Sequence, residues 1–145
     1  MTAKEYLGQA YRIDQRINSK IEQLSSLRSL ATKATSTLSE TPPSGTRNVH
    51  RMEDTIVKII EMEDEINSDI DRLVDLKNDI MKIIKSVSDL EQQTILELRY
   101  LCFRTWEEIS VEMGYSVQQI YRIRDKAFDR INLNFQKMIE NDSKC

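Results

Sequence analysis

Apolar side chains early in the chain return at every seventh place, as Ala10, Ile17, Leu24, Ala31 and Leu38, with Ile13, Ile21, Leu27 and Ala34 between them. The same spacing returns as Met52, Ile59, Ile66, Leu73, Ile80 and Val87, supported by Ile56, Ile70 and Ile84. A heptad sustained over this length keeps one seam on one side of an α-helix and predicts coiled-coil packing. Each helix should span about 35 to 40 residues, roughly 55 Å at 1.5 Å per residue. Between them stands Ser39-Glu40-Thr41-Pro42-Pro43-Ser44-Gly45-Thr46, where two prolines stop a helix and Gly and Ser relax the chain. The pattern predicts a long antiparallel helical hairpin over residues 1–87, with its loop near 39–47.

Past residue 87 the elements shorten. Ser88 with Glu91, Thr105 with Glu108 and Ser116 with Gln119 each fit the S/T-x-x-E/Q capping box, which writes a helix start into local sequence. Trp106, Ile109 and Met113 share one face of a short helix that ends at Met113-Gly114-Tyr115, where Gly114 is free to take positive φ. A further helix from Ser116 carries Ile120, Ile123, Ala127 and Phe128 on one apolar face. Residues 88–145 therefore read as a compact helix-turn-helix domain, and the whole chain as all-α. No run of alternating β-branched residues competes with that reading.

Charge adds a sorting rule. Residues 2–40 hold six basic side chains against four acidic ones, whereas residues 53–79 hold ten acids against three bases. The arms should attract through flanking ion pairs, each worth only tenths of a kcal/mol when exposed. The acidic arm is alternatively a face for a basic partner or a second copy. As a metal or catalytic site the carboxylates fail, because the single His50 has no Glu-x-x-His partner. EF-hand spacing, a phosphate loop, a zinc pattern and a nucleophile constellation are all missing, so the expectation is no enzyme, no cofactor and no metal. Cys102 and Cys145 read as reduced thiols. With no apolar stretch of eighteen residues and no signal-peptide core in MTAKEYLGQAYR, the expected location is the bacterial cytoplasm, away from membranes.

The helix-turn-helix layout points to DNA. Its second helix must project side chains into a major groove about 12 Å wide while the first crosses the backbone. Outside the apolar face lie Gln118, Gln119, Tyr121, Arg122 and Arg124, whose donors and rings suit base edges and phosphates. The runs Ile95-Leu96-Glu97-Leu98-Arg99-Tyr100, Thr105-Trp106-Glu107-Glu108-Ile109, Met113-Gly114-Tyr115-Ser116 and Ile120-Tyr121-Arg122-Ile123, followed by Lys126-Ala127, resemble region four of bacterial sigma factors. That resemblance implies groove contacts from Val117, Gln118, Tyr121 and Arg122, and phosphate-side positions for Gln119, Arg124 and Lys126. Thr105 and Ser116, at the two helix starts, complete the implied DNA-contacting set. The family often carries Arg where this chain has Val117 and Tyr121, which leaves the target sequence open; it usually has Ala where this chain has Ser110.

A long hairpin followed by such a module is similar to phage-encoded regulators of the ArpU/RinA type. In that group the proteins switch on late genes. Net charge is −3, and residues 116–130 hold only Arg122, Arg124, Lys126 and Arg130 against Asp125 and Asp129. So modest a patch implies help, either from RNA polymerase or from dimerisation through the hairpin. Two rivals stand beside this reading. One is a protein-binding adaptor of anti-activator type whose C-terminal helices never meet DNA. The other is a sigma factor acting alone, which needs a promoter-melting region that residues 1–87, lacking an aromatic-rich basic helix, do not offer.

Overall fold

The computed structural model describes residues 2–40 and 46–143, with side chains described at 2–34 and 50–137. Among them it forms six helices and no strand: α1 (Ala3–Leu7), α2 (Gln9–Glu40), α3 (Thr46–Lys85), α4 (Leu90–Tyr100), α5 (Trp106–Met113) and α6 (Val117–Ser143). The chain is all-α. None of these helices is long and apolar enough to cross a membrane. The expected hairpin loop with Pro42, Pro43 and Gly45, the side chain of Leu38 and Cys145 lie outside the described residues.

Contacts gather Ile13–Leu73 into one compact unit and Met1–Arg12 with Val74–Cys145 into another. These contact units divide the chain elsewhere than at residue 87. The cause is visible in burial: Ile80 and Ile84 at the end of α3, Val87 just beyond it, and Ala3 and Leu7 of α1 are all core positions within the second unit.

In the first unit α2 and α3 pair antiparallel. Ile17, Leu24 and Ile66 form the buried centre, with Ile13, Ile59, Met62 and Leu73 packed against it. The seven-residue series thus faces inward, but four intermediate positions, Ala34 among them, do not. Ile21, Ile56 and Ile70 are exposed, and Met62 and Asp69 take the inward places on α3. Asp69 is tolerated in the seam because Lys20 Nζ lies 2.6 Å from its Oδ2, with Arg16 and Arg72 each at 3.8 Å. Lys20 also reaches Glu65 at 3.5 Å, and Arg28 pairs with Glu63. The opposite charges of the two arms are joined, one pair inside the seam and the rest along its edge.

In the second unit Thr2 caps α1 in a capping box with Glu5, and Ala3 N donates to Asn132 Oδ1 of α6 at 3.1 Å. Tyr6 meets Phe135 edge-on at 6.0 Å. The cap of α4 is Asp89, in place of the expected Ser88: its Oδ1 accepts from Glu91 N at 2.9 Å and Gln92 N at 3.1 Å. One carboxylate oxygen serves two orphan donors and suits the positive end of the helix. Ser88 Oγ instead accepts from Arg130 Nη1 at 2.6 Å.

Candidate nucleic-acid interface

Three isoleucines hold the helix-turn-helix together. Ile95 of α4, Ile109 of α5 and Ile120 of α6 are fully buried, with Leu98, Trp106, Met113 and Ile123 packed around them. Between α4 and α5 the chain turns through Phe103 at φ 59°, a left-handed conformation that bulky residues rarely adopt. Lys77 secures this turn, donating to Leu101 O at 3.2 Å and sitting 4.7 Å above the Phe103 ring. Tyr11 meets the same ring edge-on at 5.7 Å.

The angle between α5 and α6 is set by Gly114 at φ 73°, whose N–H donates to Ser110 O. Tyr115 N donates to the same oxygen at 3.0 Å. Ser110, where the resembling family has Ala, is buried, and its hydroxyl donates to Glu107 O at 2.7 Å. Both helix starts are capped as expected. Thr105 Oγ1 accepts from Glu108 N at 3.2 Å, and Ser116 Oγ accepts from Gln119 N at 3.2 Å while Ser116 N donates to Gln119 Oε1 at 3.0 Å.

The nine residues singled out from sequence fall into three groups. Thr105 and Ser116 spend their hydroxyls on caps, as does Gln119 its amide oxygen, although all three stay exposed. Gln118, Arg122 and Lys126 are exposed at i, i+4 and i+8 along α6, one open line of donors. Gln119, Arg122 and Lys126 also border a shallow groove of about 330 Å³ with Glu91 and Tyr115. There the Glu91 carboxylate raises the Tyr115 phenol above its ordinary value.

Val117, Tyr121 and Arg124 are half-buried. Tyr121 meets Trp106 edge-on at 6.4 Å, and the Arg124 guanidinium lies 4.5 Å over Tyr121 and 5.4 Å over Trp106. Arg124 also pairs with Asp125 at 3.0 Å. Sequence reasoning left Arg99 out. It covers Trp106 at 5.2 Å and donates to Arg104 O at 3.0 Å. Its place in the Leu98-Arg99-Tyr100 run was the available signal. Tyr100 itself is buried, which pushes its phenol up to about 12 against the opposing pull of Arg99 and Arg124.

Neither a curated protein nor a solved structure matches this chain. A family described as "Protein of unknown function (DUF1492)" matches residues 33–132, a span that starts within α2 and takes in the entire α4–turn–α5–turn arrangement and the exposed line of α6. On that match the chain belongs to the DUF1492 family.

Proposed function

We propose that this chain is a sequence-specific, double-stranded DNA-binding transcriptional regulator of the phage or prophage late-gene activator kind, acting in the bacterial cytoplasm with RNA polymerase. The observation that carries the reading is the open line of Gln118, Arg122 and Lys126 on a helix whose start and tilt are fixed by Ser116 and Gly114. Gln suits adenine edges and Arg suits guanine, while Lys126 suits a phosphate. Trp106, under its two guanidiniums, then lies at the start of the helix that crosses the DNA backbone.

The test is a mobility shift on duplexes recovered from a random-sequence selection with the parent protein. Arg122→Ala should weaken binding by about 1–3 kcal/mol and relax the preference at one base position. Equal behaviour of parent and variant across several salt concentrations would sink the DNA reading.

A second surface bears on partners. Ile56, Ile60, Ile70 and Val74 stand exposed on α3, the pairs Ile56/Ile70 and Ile60/Val74 two heptads apart with Glu63 and Asn67 between them, on the flank of the Ile59–Ile66–Leu73 seam. An antiparallel second copy centred on residue 65 sets Ile56 opposite Val74 and Ile60 opposite Ile70, so the stripe is complementary to itself. We assign it to a homodimer, which doubles the DNA contacts of a protein with few of its own. An adaptor without DNA binding would use the same stripe; the two readings part on Arg122.

A further inference from the structure

Four basic side chains from three distant parts of the sequence converge beside α6. Lys4 and Arg12 from the N-terminal segment, Arg99 of α4 and Arg124 of α6 line a hollow of about 460 Å³, floored by Trp106 and Tyr100. One carboxylate, Glu5, is present, and it accepts from Thr2 N at 3.3 Å in the α1 capping box. Among the described residues no carboxylate lies within 4.0 Å of the charged nitrogens of Lys4, Arg12 or Arg99. The arrangement differs from that of Arg16, Lys20 and Arg28, further along the same arm, which all find acids on α3.

Arg124 has Asp125 at 3.0 Å, but Lys4, Arg12 and Arg99 converge without a paired carboxylate and repel one another, and an anion that joins them removes the repulsion. The two guanidiniums are also held in place before any ligand arrives, each by its contact with Trp106, Arg99 further by its bond to Arg104 O and Arg124 by Asp125, and their remaining N–H groups are open to an oxyanion. Lys4 and Arg12 are exposed and free to close over it.

We propose that this hollow is a phosphate-binding site and that its ligand is the DNA backbone beside the groove read by Gln118 and Arg122. The proposal rests on the DNA reading above. Its placement follows from Trp106 being the first residue of α5, the helix that crosses the backbone in this motif. The N-terminal segment thereby becomes part of the reading surface, adding contacts that the charge of α6 alone does not supply.

Lys4→Ala/Arg12→Ala removes two exposed side chains and leaves the core intact. Binding of the selected duplexes is measured by mobility shift between 50 and 200 mM salt, for the parent, this double variant and Arg122→Ala. Losing two phosphate contacts should reduce the slope of log affinity against log salt by about 1.8. The weakening should be similar on preferred and scrambled duplexes. A parent-like slope in the double variant, with Arg122→Ala still impaired, overturns the phosphate site and spares the DNA reading. Parent protein that recovers no duplex at all overturns both.

A second arm separates a free phosphate ligand from DNA. Trp106 is the only tryptophan, so its emission reports on the hollow. Titration with inorganic pyrophosphate that shifts this emission in the parent but not in the double variant, together with an unchanged DNA slope, assigns the site to a free phosphate compound and overturns the DNA version.

Discussion

Gly114 and Phe103 both take positive φ, but they differ in what holds them there. A Cβ built on Gly114 meets nothing within 4 Å, so Gly114→Ala should cost only the left-handed backbone penalty, about 1–2 kcal/mol. Gly114→Asn should cost less, because Asn tolerates that region; urea midpoints of the two variants check the order. Phe103 has no such freedom and is kept in place by Lys77 and Tyr11. Phe103→Gly should therefore be less damaging than Phe103→Ala by about 1 kcal/mol, since both lose the ring contacts and only Ala keeps the strain. The glycine turn was legible in the sequence, because Met113-Gly114-Tyr115 interrupts an apolar period. The phenylalanine turn was not: nothing in Leu101-Cys102-Phe103-Arg104 announces it, and the lysine that stabilises it stands on α3.

Along α3 the repeat was legible and its handedness about the seam was not. Ile59, Ile66 and Leu73 face α2 as the spacing predicts, whereas the intermediate inward place falls three residues on, at Met62 and Asp69, and not four. A carboxylate at a seam position reads as solvated surface until its partner is known, so Asp69 hid the true register and Ile70 looked the better candidate. The Lys20 hydrogen bond holds the Asp69 carboxyl below its ordinary value, outweighing the opposing effect of burial. Unfolded aspartate titrates near 3.9, so the stabilisation is complete above about pH 4 and is lost as acid carries the pH through the lower folded value. The stability gap between the parent and Asp69→Asn should hold steady from pH 7 to 5 and narrow below about 4; a gap of constant size down to pH 2 would contradict this. Ile56 and Ile70, displaced from the seam, join Ile60 and Val74 in the exposed stripe of α3. Ile60→Glu, at a residue 53% exposed, should leave the helix content of the chain unchanged and lower its sedimentation mass from dimer to monomer.

For the molecule as a whole, the helical content and the helix-turn-helix core were readable because both are written in local period and caps. The unit boundaries were not, since α1 docks on α6 through contacts that bridge the length of the chain, such as Ala3 with Asn132. For the same reason Lys4 and Arg12 passed for ordinary arm charges. With a net charge of −3, the protein should bind DNA only at low to moderate salt unless a partner is present, and adding RNA polymerase should raise the salt concentration that the complex withstands. A final consequence concerns descent. Lys20 and Asp69 share one seam, and loss of either leaves the other with longer-range partners alone, Glu65 at 3.5 Å for Lys20 and Arg16 and Arg72 at 3.8 Å for a buried Asp69. Neither codon can drift freely by itself. Among relatives that keep this hairpin, the two positions should change together, from an ion pair to an apolar pair or to the reversed pair, with mixed combinations rare; an alignment deep enough to count the combinations will show it.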